Sequence, residues 1–396
     1  MTSAVALQLD SSPNPLSWPD AAYIHIPFCR QRCYYCDFAT GLGTADLIAT
    51  YVQVLCQQIQ SLPEVDQPLQ TVFFGGGTPS LLTPTQLQDI LSSLRARVPF
   101  ARDIEISLEA NPGTISRDQL AAYQEWGVNR ISLGVQAFQP ELLAACGRLH
   151  GVEAIYTAVE DLRAVGLNNF NLDLIFGLPH QTLADWRESL QQVCQIRPTH
   201  ISLYDLTIEQ GTRFGRLYHA GMNPLPAEEI TVAMYLEAIE ILSCQGYDHY
   251  EISNFAQPGF SCRHNRVYWE NRSYYGLGMG ATGYVQGRRI QQPQKLHDYF
   301  LQVRSGQEPT DPVATLADQW MDTLMLGLRL REGISLEQLY GQFPAAWITA
   351  AHQQLSGYEK QGWISWENGR IRLIPPMGWL HSNTIIAVLF AIPDPK

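Results

Sequence analysis

The chain has 396 residues, 45% hydrophobic and 16% charged, with a net charge of −12 from 38 acidic and 26 basic side chains. That length suits about two or three domains, or one large barrel with an appendage. The acidic balance argues against a nucleic-acid-binding surface. Met1 to Asp20 lacks the basic and apolar regions of a secretory signal, and no run approaches the ~20 apolar residues of a membrane span. Cys56, Cys146, Cys194, Cys244 and Cys262 are scattered without pairing logic. They read as free thiols in a reducing compartment, the cytoplasm.

After an extension over residues 1–20, apolar and β-branched runs alternate with helical patterns as far as residue 245. Strands are predicted over Ala21–Pro27, Thr71–Phe74, Ile104–Glu109, Arg130–Val135, Phe170–Phe176 and His200–Leu206. Between them the spacing predicts helices over Ala45–Leu62, Pro84–Val98, Arg117–Trp126, Val152–Val165 and Leu183–Cys194. The second of these is signalled by Thr83 as cap, Pro84 at the first helical position and Gln86 closing a capping box. Such alternation implies a parallel sheet with helical crossovers, without separating an open sheet from a closed or partial barrel. Residues 246–310 form a connecting region, within which Tyr247 to Gly287 is rich in Tyr, Asn, Arg and Gly and short of helical periodicity. Residues 311–396 form an α-rich domain, with helices over Asp318–Leu330, Ser335–Phe343 and Ala346–Gln361 and a hairpin over Ile364–Ile374 closed at Glu367-Asn368-Gly369. Helices followed by a hairpin are winged-helix-like, and the acidic charge makes this a packing or docking module. The apolar run Ile385–Ile392 is too short to cross a membrane and reads as a core helix or strand.

The most constraining motif follows the first strand. Cys29, Cys33 and Cys36 are spaced C-x3-C-x2-C. Three thiolates on one loop can each bind one iron of a [4Fe–4S] cubane, leaving the fourth iron open for chemistry. Gly75-Gly76-Gly77-Thr78-Pro79-Ser80 follows the second strand. Glycines there let backbone approach a ligand, although a tight turn would also explain them. Glu109 and Gln136 end the third and fourth strands. Arg148 has the fork that binds a carboxylate, and Asp173, inside an apolar strand, needs a partner such as ribose hydroxyls.

The cysteine triplet, with Tyr23-Ile24-His25-Ile26-Pro27-Phe28 before it and Tyr35-Cys36-Asp37-Phe38 at its end, resembles the cluster loop of the radical S-adenosylmethionine (SAM) superfamily. In particular it resembles the branch of the oxygen-independent coproporphyrinogen III dehydrogenases and the HemW-type haem chaperones. The resemblance implies a partial (β/α)6 barrel over residues 21–245, with the site at the C-terminal ends of the strands. It also implies cluster ligation by Cys29, Cys33 and Cys36. Contacts to SAM are implied from Tyr23, Phe38, Gly76, Gly77, Thr78, Glu109, Gln136, Arg148 and Asp173. The dehydrogenases carry a fourth cysteine where this chain has Phe38, so the resemblance is to the chaperones. The run Cys262-Arg263-His264-Asn265-Arg266-Val267-Tyr268-Trp269 resembles the chaperone word whose histidine is implicated in holding haem. His264 would be the axial ligand, Tyr268 and Trp269 would offer apolar faces, and Arg263 and Arg266 would offer charges for the propionates. Without the family word, a loop cap with packed aromatics would explain the same residues. The expected cofactors are a [4Fe–4S] cluster, SAM and haem, and the expected partners are client haemoproteins, including membrane-associated ones. The alternatives are decarboxylation of coproporphyrinogen III, and radical chemistry on another tetrapyrrole.

Overall fold

The computed structural model describes residues 17–307, 312–390 and 392. Residues 1–16 of the expected extension, 308–310 of the expected connecting region, and 311, 391 and 393–396 of the expected C-terminal domain therefore lie outside the described residues. Six strands form the frame: β1 (Ala21–Ile26), β2 (Leu69–Gly76), β3 (Phe100–Ala110), β4 (Arg130–Gln136), β5 (Phe170–Phe176) and β6 (His200–Asp205). The helices between them are α1 (Ala45–Gln60), α2 (Pro84–Arg95), α3 (Arg117–Glu125), α4 (Val152–Ala164) and α5 (Leu183–Ile196), followed by α6 (Glu228–Cys244). The sequence-predicted elements are all present, with ends shifted by a few residues. The α2 capping box forms as the sequence indicates: Gln86 N–H donates to Thr83 Oγ1 (3.2 Å), and Thr83 N–H donates to Gln86 Oε1 (2.9 Å). The sequence reading named no helix at α6. Ile230, Val232, Met234, Leu236, Ile239 and Leu242 are spread around that helix, so no single face stands out.

Three later strands complete the sheet: β7 (Asp248–Glu251), β8 (Asn254–Ala256) and β9 (Tyr275–Leu277). The order across nine strands is β9-β1-β2-β3-β4-β5-β6-β8-β7. Pairing is parallel from β9 through β6 and antiparallel at β8 and β7. The two end strands do not pair with each other, so the curl is a partial barrel and not a closed one. The connecting region thus gives three strands between residues 248 and 277 to the barrel's sheet, and Tyr299 joins its core.

Alternation along the strands explains the architecture. Outward residues such as Val72, Ile106, Leu108, Ile131, Leu133, Leu172 and Leu203 pack against Leu55, Ile90, Leu94, Leu120, Leu162 and Trp186 of the helices. Each such buried aliphatic side chain contributes roughly 1.5–3 kcal/mol. Inward residues are largely polar: Thr71, Glu105, Ser107, Glu109, Arg130, Ser132, Asn171, Asp173, His200 and Ser202.

The C-terminal part has its own core around Trp320, Leu324, Leu339, Trp347, Leu355, Ile371 and Trp379. It comprises α-helices at Leu316–Gly327, Leu336–Gln342 and Ala345–Lys360 with a small antiparallel sheet of Ile334–Ser335, Arg370–Leu373 and Ile364–Ser365. Helix, strand, two helices and hairpin follow in the order of a winged helix. Asn368 (φ 55) and Gly369 (φ 71) are both left-handed, the requirement of the tight hairpin turn that Asn-Gly signals. The run at Ile385 lies in the helix Ser382–Leu389, with Ile385, Ile386 and Leu389 buried. No helix among the described residues is long and apolar enough to cross a membrane.

Candidate functional site

The barrel encloses a cavity of about 480 Å3. The expected cluster and SAM contacts and His264 all line it: Cys29, Cys33, Cys36 and Phe38 from the loop after β1; Gly76, Gly77 and Thr78 after β2; and Tyr23, Glu109, Gln136, Arg148, Asp173 and His264. Of the other expected haem-motif residues Tyr268 lines it too, whereas Arg263, Arg266 and Trp269 do not.

The cysteine loop is tied down on several sides. Tyr34 N–H donates to Cys146 O (3.0 Å) and Gln31 Nε2 to Gly147 O (2.8 Å). Arg32 Nε donates to Cys36 O (3.2 Å) and its Nη2 to Phe38 O (3.4 Å). All three thiols are free and partly accessible. Burial pushes the Cys29 and Cys36 thiols up from their ordinary range. Arg148 stands beside them, its Nη1 donating to Cys33 Sγ at 3.3 Å, while its Nη2 donates to Asn111 Oδ1 and Gly134 O. Phe38 is 59% exposed at the rim.

The Gly-rich turn is a cradle that only glycine permits. Gly76 has φ +110, and a Cβ there would lie 2.5 Å from the His25 ring; a Cβ at Gly77 would lie 2.6 Å from Phe28 O. Gly76 N–H donates to Glu109 Oε2 (3.1 Å). Burial and the neighbouring Asp173 carboxyl lift Glu109 to about 8, against the pull of Gly76 N–H and Arg130. Gln136 holds φ +72, unusual for a non-glycine residue. It sits where the β4–β5 register slips between Gly134 and Gln136. Tyr23 OH is 3.0 Å from His25 Nδ1. Asp173 has protein partners of its own: Ser132 Oγ donates to Oδ2 (3.0 Å) and Asn171 Nδ2 to Oδ1 (2.7 Å). The chain continues from Asn171 Oδ1 to His200 Nδ1 (2.7 Å), and from His200 Nε2 to Tyr250 OH (2.8 Å).

His264 lies at the other end of the strands. Its helix, α7 (Arg263–Trp269), closes the barrel floor. His264 Nδ1 is 2.8 Å from Thr71 Oγ1, near the start of β2, and Nε2 is 2.8 Å from Tyr268 OH. From Thr71 to Gly76 the strand rises roughly 16 Å at about 3.3 Å per residue, so the histidine and the cysteine loop face each other along the barrel. The ring is fully buried and stacked on Phe73 (5.2 Å, 24°). Burial, with Arg272 and Arg130 nearby, lowers its pKa to about 3, which keeps the imidazole neutral. Glu105 caps this helix, accepting from Arg263 N–H and His264 N–H, both at 3.2 Å. The two arginines of the motif are already engaged. Arg263 donates to Asp103 and Gln70, and Arg266 pairs with Glu270 and with Glu332 of the C-terminal part.

The site contains residues that sequence reasoning passed over: Asn111, Ser132, Asn171, Glu105 and Arg130. Their signal is the every-second-residue polar pattern within otherwise apolar parallel strands, which marks the face turned into a barrel. The donor set fits a thiolate-bound cluster: three accessible thiols share one loop beside a guanidinium that can offset their negative charge. The glycine cradle and the buried carboxyls fit a ligand that carries an amine and hydroxyls.

Comparison with known proteins agrees with this geometry. The family model "Radical SAM superfamily" matches residues 23–193, and "HemN C-terminal domain" matches residues 314–380. The heme chaperone HemW of Synechocystis sp. is 41% identical over 94% of this chain and 97% of its own. HemW of Lactococcus lactis is 36% identical (90% and 94%), and HemW of Escherichia coli 39% identical (79% and 83%). The structure of coproporphyrinogen III oxidase from Escherichia coli, a radical SAM enzyme, superposes with a TM-score of 0.81 at 24% identity over 96% of this chain and 92% of that one, a likeness of fold. With its fold, its cysteine loop and these relatives together, the chain belongs to the HemW family of the radical SAM superfamily.

Proposed function

We propose that this protein is a cytoplasmic haem chaperone. In this reading Cys29, Cys33 and Cys36 carry a [4Fe–4S] cluster, and SAM is held by Tyr23, Phe38, Gly76, Gly77, Thr78, Glu109, Gln136, Arg148 and Asp173. Haem is held through His264 and passed to client haemoproteins, including membrane-associated ones. The observation that carries this is the convergence of the thiol loop, the glycine cradle and His264 on one cavity. Phe38 on the rim supports the chaperone over the coproporphyrinogen dehydrogenase, whose cluster loop has a further cysteine there.

When bound, a cluster of this type supplies an iron with an open position and an electron. The chain's own residues have separate tasks. Gly76 and Gly77 expose backbone at the ligand. Glu109 and Asp173 offer acceptors, and Arg148 steadies the thiol loop. His264 Nδ1 has Thr71 as a partner that would fix the ring, and Nε2 would have to part from Tyr268 OH to hold haem. Haem uptake therefore requires movement at the barrel floor.

The test is transfer. Haem-loaded protein mixed with an apo-haemoprotein should convert the spectrum to that of the loaded client. Incubation with coproporphyrinogen III, SAM and a reductant should yield no decarboxylated porphyrin. Release of carbon dioxide and vinyl-bearing product would make the protein an enzyme of tetrapyrrole synthesis instead.

A further inference from the structure

Arg130, the first residue of β4, points into the lower half of the cavity and is 2% exposed. Its guanidinium makes no hydrogen bond or ion pair among the described residues, and its Nε is buried without a partner. A desolvated cation normally persists only when acceptors surround it. The nearby carboxyls Glu105 and Asp173 offset its charge without bonding to it, and their hydrogen bonds go elsewhere. Glu105 accepts from the N–H groups of Arg263 and His264 and lies 3.7 Å from Cys262 Sγ. Asp173 accepts from Ser132 and Asn171. The fork of Arg130 thus faces the cavity with its donors unspent, the arrangement that binds a carboxylate.

A SAM carboxylate held beside Arg148 at the cysteine loop lies farther up the barrel. From Arg130 to Gln136 β4 rises roughly 20 Å at about 3.3 Å per residue. The same lower chamber is lined by Phe73, Tyr268 and His264, which offer apolar ring faces and an imidazole. We propose that Arg130 anchors a propionate of a tetrapyrrole bound at the barrel floor, on the side of His264. This rests on the haem-binding reading above and adds to it the group that orients the macrocycle.

The experiment uses full-length, cluster-reconstituted protein and two probes, ferric haem and haem dimethyl ester, whose propionates are neutral. Binding is followed in the Soret region for wild type and Arg130→Met. Losing a charged hydrogen-bonding partner should weaken haem binding about tenfold to a hundredfold. The ester should bind wild type and variant alike, at the weakened level. SAM affinity should fall less than haem affinity, since Arg130 reaches Glu109 and Asp173 only through its charge. Haem binding equal in wild type and variant would overturn the proposal while leaving the chaperone reading intact. Equal losses for haem and ester, or a loss confined to SAM, would also overturn it, as these point to a structural role or to SAM's own carboxylate. If wild type bound no haem, the chaperone reading itself would fall.

Discussion

The Glu109 carboxyl makes a quantitative prediction about pH. Burial first, then the Asp173 carboxyl, carries it from the usual 4.5 to about 8 in the folded chain. At 1.36 kcal/mol per pH unit this is worth about 5 kcal/mol in full, and about 3 kcal/mol by pH 7. Water in the cavity screens part of it, so about 2–3 kcal/mol is the figure to look for. The sign follows from linkage. Below pH 4.5 the group is neutral in folded and unfolded chains alike, and there is no penalty. Between about 4.5 and 8 the unfolded chain ionises while the folded one holds its proton, so stability falls as pH rises. Glu109→Gln removes this dependence. In cluster-free protein, urea unfolding of wild type and variant should agree near pH 4.5 and diverge towards pH 8, with the variant the more stable. Glu251, buried and lifted to about 7, slopes both curves equally, so the difference between them is the quantity to read. Asp173 titrates with Glu109, and the lost slope belongs to the pair. Parallel curves for the two proteins across this range would refute the reasoning.

Two further substitutions probe the ends of the cavity. Tyr268→Phe removes the hydroxyl that occupies His264 Nε2. Losing a competing hydrogen bond of about 1 kcal/mol should tighten haem binding up to about fivefold in a Soret titration, and a weaker complex would contradict the proposed ligand. Gln136→Gly relieves the φ of +72 and should stabilise the fold by about 1 kcal/mol in denaturant unfolding. The same change should weaken SAM binding measured by calorimetry; SAM affinity equal to wild type would remove Gln136 from the site.

Much of the architecture was legible because parallel strands buried on one face and paired with amphipathic helices have a strong period. Phe170–Phe176 was bounded without error, and Thr83 with Gln86 announced a capping box that forms atom for atom. The cysteine loop, the glycine turn and the strand-end carboxyls were legible because their spacing reflects chemistry carried out at one end of a barrel. What escaped depends on pairing between distant strands. Asp173 reads as a carboxyl in need of a partner; Ser132 and Asn171 are such partners, and only sheet register brings them together. Arg130 reads as the opening of an apolar strand, and its lack of a hydrogen-bond partner follows from what Glu105 does for a helix far along the chain. The motif at His264 signalled a ligand set with free arginines. The structure gives both ring nitrogens and both arginines partners within the protein.

The most direct test of the account is a haem titration of the anaerobically reconstituted protein, wild type beside His264→Ala, followed in the Soret region. The account expects stoichiometric binding in wild type that fails in the variant, with the cluster's own absorption unchanged in both. Equal haem binding by the two proteins would contradict it and move the haem away from the barrel floor.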